Sequence, residues 1–329
     1  MKKLLSLLLL SLALAACGGA TPVPPTAAAL TRVKLAMGFI PDIQFAPFYV
    51  ADSKGYFKEQ GLEVEFVTMF ENDSVPLLGK NELQFANVSA EQIIIARSQG
   101  LPVVYAMKWW EKYPIAITSK ADKGIKSPSD LQGHVVGIPG LYGASYIGWQ
   151  ALLNSQNLPS DLAQLESIDF TQAQAIAAGT VDAAVVYANN EPVKLAAGGE
   201  QLNTIYVADY VQLASNGLAT NEQTIKENPQ LVRGMVTAIL KGLTDTVANP
   251  AEAVDISKNY IEGLNTGDAA TLTTARKVLD ASIEMWKTDK PGLSDKARWE
   301  VTQSVLLNMG LLTAPIDLDQ AFTNQFVTP

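Results

Sequence analysis

Short apolar runs alternate with helical patterns from residue 33 onwards, and this alternation restricts the chain to one class of fold. The runs with the length and composition of buried strands are 33–39, 62–68, 83–88 and 102–107. The segments with apolar residues at helical spacing are 45–54, 73–80 and 90–99. Because strands that alternate with helices build a mostly parallel sheet covered on both faces, we expect an α/β fold.

A second, smaller set of the same kind follows inside the chain. Its predicted strands are 115–119, 135–138, 165–169, 183–187 and 201–207, and its predicted helices are 128–132, 142–156 and 171–178. After residues 216–218 the pattern is helical: Asn228 and Pro229 mark one helix start, and further helices are predicted at 250–262, 268–287 and 294–309.

The order of these sets predicts two lobes. Residues 32–114 and 214–329 form the first lobe and residues 115–213 form the second, so the chain crosses between lobes near 113–118 and 214–220. Each lobe is expected to hold a mostly parallel sheet flanked by helices. The two crossings are natural hinges, and we expect the lobes to close on a ligand between them.

The composition excludes several function classes. Hydrophobic residues make up 48% and charged residues 17%, as in a globular core, and the formal charge of -9 gives no support for nucleic-acid binding. The sequence has one histidine and one cysteine, too few for a disulfide framework or a Cys/His zinc site. No metal or cofactor is therefore expected, and His134 is predicted to be structural or at the surface.

The N-terminus predicts where the protein resides. Two lysines are followed by an apolar run at 4–16, which is shorter than the roughly 20 residues of a membrane-spanning helix, and then by Cys17. Residues 1–16 are predicted to be a signal peptide, and the end of this run resembles the bacterial lipobox. That resemblance implies a lipidated Cys17 and a protein outside the cytoplasmic membrane. Residues 18–31 are rich in Gly, Pro, Ala and Thr, so 17–31 is predicted to be the lipidated cysteine and a flexible tether. A plain secretory peptide is the alternative.

Several motifs between residues 32 and 250 carry a family resemblance. They are the stretches 33–39, 46–51, 87–89, 127–133 and 177–183, and above all Lys54-Gly-Tyr-Phe-Lys-Glu-Gln-Gly-Leu62. In these motifs the chain resembles the substrate-binding proteins of ABC importers, in the group that binds thiamine-pyrimidine precursors, sulfonates and nitrate, and within it the riboflavin-binding members. The resemblance implies a two-lobed periplasmic-binding-protein type II fold, a monomer, and partnership with ABC permease subunits.

Candidate ligand-binding residues follow from where ligands bind in open α/β sheets, which is outside the carboxyl ends of the strands. The loops and helix starts after each predicted strand supply Phe39, Asp42, Gln44, Asn87, Ser89, Trp109, Trp110, Tyr142, Ser145, Tyr146, Tyr187, Asn189 and Glu191. Ser89 is also placed to cap the helix that begins at residue 90.

Aromatic residues help to choose the ligand. Residues 105–149 contain seven aromatic side chains, about twice the density that the overall 8% predicts. A flat heterocycle gains roughly 0.5–1.5 kcal/mol from each well-stacked ring, whereas a small hydrated anion gains little. Riboflavin captured between the lobes and delivered to a permease is therefore the leading hypothesis, with a thiamine-pyrimidine precursor or a sulfonate or nitrate anion as alternatives. The hypothesis of a pyrimidine-synthase-like enzyme is disfavoured, because such enzymes use a cysteine-rich motif and this sequence has one cysteine.

Some of these residues have simpler interpretations. Trp109 and Trp110 would point to opposite faces of an extended strand, so that only one reaches the cleft. Asp42 and Glu191 are equally explained as helix caps or solvated carboxylates. Asn189 and Asn190 are also typical of a turn. Phe45, Phe48 and Tyr49 lie at helical spacing and are predicted to be core residues.

Overall fold

The structure, a computed structural model, describes residues 29–327. The strands in that range are β1 (Thr31–Ala36), β2 (Leu62–Val67), β3 (Phe85–Val88), β4 (Val103–Lys108), β5 (Ile115–Lys120), β6 (Val135–Ile138), β7 (Gln164–Ser167), β8 (Ala183–Tyr187), β9 (Leu202–Tyr206) and β10 (Gly217–Asn221). The helices are α1 (Ala46–Ser53), α2 (Tyr56–Glu59), α3 (Glu71–Gly79), α4 (Ala90–Ser98), α5 (Gly143–Ser155), α6 (Gln172–Ala178), α7 (Glu191–Ala197), α8 (Glu222–Glu227), α9 (Pro229–Ala248), α10 (Pro250–Ser257), α11 (Ala269–Trp286) and α12 (Lys296–Asn308).

The strands form two five-stranded sheets, one in each lobe. The orders are β2-β1-β3-β10-β4 in the first and β7-β6-β8-β5-β9 in the second. β10 is antiparallel to β3 and β4, and β5 is antiparallel to β8 and β9, while the other paired strands are parallel. Four strands of each sheet therefore share one direction, in agreement with the predicted α/β fold with two mostly parallel sheets.

The antiparallel strand of each sheet is the first strand after the chain has crossed from the other lobe. The segment 109–114 connects β4 to β5, and the segment 207–216 connects β9 to β10. Both antiparallel strands thus enter at the same position in their sheets, one strand from the edge. Each crossing leaves the edge strand of one sheet, β4 or β9, and enters the second strand of the other sheet, β5 or β10. The two crossings therefore lie side by side, and they are joined by hydrogen bonds from the Trp109 and Trp110 amides to the Asn216 carbonyl oxygen.

The prediction that the chain is helical after residue 218 is wrong at its start, because Gly217–Asn221 is the strand β10. All its residues are buried, and a short buried apolar run cannot be assigned to strand or helix from its periodicity. A Cβ added at Gly217 would lie 2.2 Å from the carbonyl oxygen of Met107 and 2.2 Å from the Tyr105 hydroxyl. Glycine is therefore needed for this strand to pair closely with β4.

The C-terminal helices pack on the first lobe. α9 lies along α1, and a Cβ at Gly242 would meet the Pro47 carbonyl oxygen at 2.1 Å, so the two helices touch through their backbones. Ile239 and Leu279 join Phe48 in the core on this face of the sheet. A second core cluster covers the opposite face, with α4 and α12 contributing to it.

The predicted signal peptide and Cys17 lie outside the described residues, as does most of the predicted tether. Over residues 29–327, no helix combines the length and apolar character that crossing a membrane requires.

His134 precedes β6, and its Nδ1 atom lies 3.2 Å from the Asp182 carboxylate. That carboxylate also accepts hydrogen bonds from Lys123 and from the Val135 amide.

Candidate functional site

A cleft between the two sheets collects residues from both lobes. The residues lining it are Met37, Gly38, Phe39, Gln44, Phe45, Phe70, Glu71, Asn72, Asn87, Trp109, Trp110, Pro139, Tyr142, Gly143, Ala144, Ser145, Phe170, Gln172, Tyr187, Asn190, Glu191 and Asn216. Most of them lie at or just after the carboxyl end of a strand, where ligands of open α/β sheets bind. The space between the lining atoms is about 920 Å³, open solvent included.

Aromatic rings form a continuous wall in this cleft. Trp109 and Trp110 have ring centroids 5.3 Å apart, and Trp110 meets Tyr187 of the second lobe edge to face at 6.3 Å. Behind them, Trp286 of α11 contacts both tryptophans, at 5.7 and 5.8 Å. This packing fixes the orientation of the rings that face the cleft, which favours a flat, apolar ligand surface.

The structure brings nine of the predicted binding residues into the cleft. They are Phe39, Gln44, Asn87, Trp109, Trp110, Tyr142, Ser145, Tyr187 and Glu191. The expectation that only one of the two tryptophans reaches the cleft does not agree with this lining. Their backbone is not extended, because the N–H groups of Trp109 and Trp110 both donate to the carbonyl oxygen of Asn216, at 3.1 Å each. The turn directs both rings to the same side.

Two other predicted residues, Asp42 and Asn189, join the lobes outside the cleft. Asp42 caps the turn at Ile43–Phe45 by accepting a hydrogen bond from the Gln44 amide, and it also accepts one from Lys194 of α7 at 3.2 Å. Asn189 is fully buried and donates to Ser282 of α11 at 2.9 Å. The interpretation of Asp42 as a cap is therefore correct. In addition, the side chains of Asp42 and Asn189 each form a hydrogen bond between the two lobes.

Ser89 and Tyr146 also lie away from the cleft surface. Ser89 occupies the N-cap position of α4, but its side chain makes no cap bond, so that prediction is wrong. Its hydroxyl donates instead to the Glu71 carboxylate at 2.5 Å, because that acceptor lies directly opposite. Tyr146 packs on the core of the second lobe.

Sequence reasoning missed several lining residues. Glu71 is the first residue of α3 and Phe70 precedes it. Gln172 is the first residue of α6, Phe170 lies between β7 and α6, and Asn216 ends the second crossing. Ligands of open α/β sheets bind outside the carboxyl ends of strands, and we call this the strand-end rule. It also applies to the segments after β2 and β7, so it was the available signal for Phe70, Glu71, Phe170 and Gln172, although no motif singled them out. Phe45 was predicted to be a core residue and Asn190 a turn residue, and both also face the cleft.

Polar atoms without partners converge on the cleft. Among its lining residues, Asn87 Oδ1, Gln172 Oε1, Asn190 Oδ1, Asn216 Oδ1 and Trp109 Nε1 are buried and have no hydrogen-bond partner within the described part of the chain. Buried polar groups are almost always hydrogen-bonded in folded proteins. The four amide oxygens can therefore accept hydrogen bonds from a ligand, and the indole N–H can donate one.

The charged residues that line the cleft are carboxylates. Glu71 and Glu191 contribute to its surface, and no lysine, arginine or histidine of residues 29–327 is among the lining residues. Burial raises the pKa of both carboxyl groups above the usual range for glutamate. Glu191 Oε2 also accepts a hydrogen bond from the Tyr187 amide at 3.0 Å. Such a lining is unfavourable for an anion, because it offers carboxyl groups and no compensating cation.

Comparison with known proteins gives the family. Residues 42–253 match the family described as NMT1/THI5 like, which is more than half of the chain. The chain belongs to the NMT1/THI5-like family. As a family member it is 39% identical to the riboflavin-binding protein RibY of Chloroflexus aurantiacus, over 97% of this chain and 96% of RibY. It is 27% identical to the formylaminopyrimidine-binding protein of Halalkalibacterium halodurans, over 98% of each chain.

A solved structure supports the fold of this NMT1/THI5-like protein. The periplasmic aliphatic sulphonate binding protein SsuA of Escherichia coli superimposes with a TM-score of 0.70 at 13% identity, covering 89% of this chain and 92% of SsuA. The two-lobed fold predicted from sequence is confirmed by this likeness. RibY, the formylaminopyrimidine-binding protein and SsuA are all named as binding proteins, in agreement with the prediction of a binding protein and not an enzyme.

Proposed function

We propose that this protein captures riboflavin between its two lobes and delivers it to the permease of an ABC importer. In this proposal it acts as a monomer outside the cytoplasmic membrane, held there by lipids on Cys17. The ligand stabilises the arrangement in which the lobes meet, and the permease recognises that arrangement. The lobes are residues 32–114 with 214–329, and residues 115–213.

One feature of the cleft carries the proposal: a wall of aromatic rings beside unpaired amides, with no cation among the described lining residues. The rings of Trp109 and Trp110 offer flat surfaces for an isoalloxazine. The unpaired amide oxygens of Asn87, Gln172 and Asn190 can accept from the N–H and hydroxyl groups of a neutral flavin. The indole N–H of Trp109 can donate to a flavin carbonyl. The 39% identity to a protein named for riboflavin binding supports the same ligand.

A thiamine-pyrimidine precursor is the second candidate. The 27% identity to a formylaminopyrimidine-binding protein favours it, and Glu191 is placed where a carboxyl could pair with an aminopyrimidine. A pyrimidine is much smaller than a flavin, so it would leave some of the aromatic wall uncovered. A sulfonate or nitrate is less well matched, because the lining carboxylates Glu71 and Glu191 would repel it.

Fluorescence titration tests the proposal directly. Purified protein is titrated with riboflavin while flavin emission is recorded, and tryptophan emission is recorded as the reciprocal signal. We expect saturable quenching of both at about micromolar concentrations or below. In parallel, melting temperatures are measured with an aminopyrimidine, an alkanesulfonate and nitrate. Unchanged flavin emission together with stabilisation by the pyrimidine would transfer the assignment to the second candidate.

The lipid anchor has its own test. Membranes are separated from soluble material in cells that express either the natural sequence or Cys17→Ser. We expect the natural protein in the membrane fraction and the variant in the soluble one, because the acyl chains on one cysteine would supply the membrane affinity. Equal partition of the two proteins would contradict the anchor and leave the ligand assignment untouched.

A further inference from the structure

The hydroxyl of Tyr113 joins the two lobes at the first crossing. It lies 2.9 Å from Glu91 Oε1 and 2.9 Å from the carbonyl oxygen of Ala144. Glu91 belongs to α4 of the first lobe, and Ala144 belongs to the first turn of α5 in the second. All three residues are almost fully buried, with 0% of Glu91, 2% of Tyr113 and 5% of Ala144 exposed, although Ala144 also borders the cleft.

A count of protons decides the state of Glu91. A phenol has one proton to donate, whereas a carbonyl oxygen and an ionised carboxylate only accept. If Glu91 were ionised, one of the two 2.9 Å contacts would have no proton between its oxygens. If Glu91 is protonated, it donates to the Tyr113 oxygen and Tyr113 donates to Ala144, so both contacts are hydrogen bonds.

The surroundings of Glu91 also favour the protonated form. Its Oε2 is buried and has no partner within the described residues. Burial raises the pKa of the Glu91 carboxyl to about 8, and the nearby Glu71 carboxylate adds to this shift. The neighbouring α5 and α12 contribute apolar side chains to the cluster that includes α4, among them Ile147 and Trp299.

Among residues 29–327, the titratable groups around Glu91 include no cationic partner. Glu71 of α3 acts on it electrostatically, and Ser89 contacts both carboxyl groups. The remaining groups are the hydroxyls of Tyr105 on β4, Tyr113 in the crossing and Tyr187 on β8, and burial raises the pKa of each, with a further contribution from Glu91. These phenols remain neutral over the range in which Glu91 titrates.

Tyr113 is also packed tightly against the helix that it contacts. A Cβ added at Gly148 of α5 would lie 3.0 Å from a ring carbon of Tyr113, so the ring rests directly on the helix backbone. The residues at the start of α5, Tyr142 to Ser145, form part of the second-lobe wall of the cleft. The position of Tyr113 therefore sets the position of that wall relative to the first lobe.

We propose that Glu91 is a positioning residue for ligand binding: as a neutral carboxylic acid it donates to Tyr113, Tyr113 donates to Ala144, and this relay holds the cleft wall of the second lobe against the first. The inference rests on the proposed function, because its readout is the affinity for riboflavin. Ionisation of Glu91 removes one hydrogen bond from the relay. The arrangement in which the lobes meet around the ligand is therefore less stable in alkaline solution.

The sign of the pH dependence follows from linkage. Glu91 keeps its proton to higher pH when the relay is formed than when the lobes separate. The stabilisation is therefore greatest at low pH and is lost as the pH rises through about 8. The dissociation constant for riboflavin should increase by at most about tenfold per pH unit over this interval, and level off above it.

The experiment is a series of flavin titrations between about pH 6 and about pH 9. The proteins are the natural sequence, Glu91→Gln, Tyr113→Phe and, as a control, Glu300→Gln on the exposed surface of α12. We expect the natural protein and the control to lose affinity together as the pH rises. Glu91→Gln should bind as tightly as the natural protein does at about pH 6 and keep that affinity throughout, because its amide donates to Tyr113 at every pH.

Tyr113→Phe keeps the proposal testable if the glutamine variant folds poorly. It removes the central hydroxyl, so binding should be weaker than in the natural protein at low pH. Its dependence on pH should be shallower as well. A flat profile for the natural protein would overturn the proposal, as would a glutamine variant that keeps the natural pH dependence. Absence of flavin binding at every pH would instead reject the proposed function, so the two failures are distinguishable.

Discussion

Phe170 of the second lobe stacks on Phe70 of the first, with ring centroids 5.0 Å apart and an interplanar angle of 15°. Phe39 meets the same Phe170 ring edge to face at 5.2 Å. All three rings line the cleft, and 41% of Phe170 is exposed. The lobes thus meet through aromatic rings on one side of the cleft, and this contact must break when they separate.

Replacing Phe170 by alanine should accelerate ligand release. An aromatic pair contributes about 0.5–1.5 kcal/mol beyond its buried area, so we expect the dissociation rate of riboflavin to rise roughly 2- to 10-fold. Stopped-flow displacement of bound flavin measures this rate. Tyr206→Ala removes an exposed ring of the same lobe outside the cleft and serves as the control. Equal rates in the two variants would show that the stacked pair does not restrain release.

The two cleft tryptophans should be the main anchors of the ligand. We expect Trp109→Ala and Trp110→Ala each to weaken riboflavin binding by about 1–4 kcal/mol, measured by calorimetry, because each removes a large ring surface from the cleft. Trp299→Phe is the matched control, since Trp299 is equally buried but packs against Tyr105 and Phe322. Unchanged affinity in both alanine variants would place the ligand elsewhere.

Trp109→Phe distinguishes the contribution of ring stacking from that of a hydrogen bond donated by the indole N–H group. The indole nitrogen of Trp109 is one of the buried atoms without a partner, so a ligand carbonyl is its expected acceptor. Phenylalanine retains an aromatic ring but cannot donate, and the loss should be about 0.5–1.5 kcal/mol. A phenylalanine variant as weak as the alanine variant would mean that the hydrogen bond and the exact ring size matter more than stacking in general.

The alternation of strands and helices was enough to predict the two-lobed α/β fold. It was sufficient because parallel strands with buried faces need helices between them, which is a constraint on the chain as a whole. β10 was not predicted because its five residues are all buried and show no alternation of buried and exposed positions. The strand-end rule likewise located the cleft, since it depends on topology and not on individual side chains.

The missed parts of the site depend on contacts that no local pattern records. Trp109 and Trp110 face the same way because a distant carbonyl, that of Asn216, accepts from both of their amides. Phe70 and Phe170 meet only because the two lobes approach each other. Ser89 donates its hydroxyl proton to the Glu71 carboxylate, 18 residues away along the chain, and accepts no cap bond from an amide of its own helix.

The charge of the cleft predicts selectivity against phosphorylated flavins. The 5′-phosphate ester of riboflavin would bring at least one negative charge towards Glu71 and Glu191, with no cation among the described lining residues. We expect this ester to bind at least about tenfold more weakly than riboflavin, measured by competition. Glu191→Gln should narrow the ratio of the two affinities. A ratio that stays the same would mean that the phosphate remains in solvent, outside the cleft.

Glu91 should also make folding stability depend on pH. Its pKa is about 8 in the folded protein, compared with about 4.5 when exposed, so the folded state holds a proton that the unfolded chain releases. Stability from this group is therefore fully present below about pH 4.5 and is lost as the pH rises through about 8. Thermal melts without ligand should find Glu91→Gln more stable than the natural protein at about pH 8, with the difference disappearing near pH 5. Glu300→Gln should follow the natural protein throughout, because its carboxylate is exposed. Parallel melting curves for the natural protein and Glu91→Gln across this range would mean that the buried carboxyl does not change its protonation on folding.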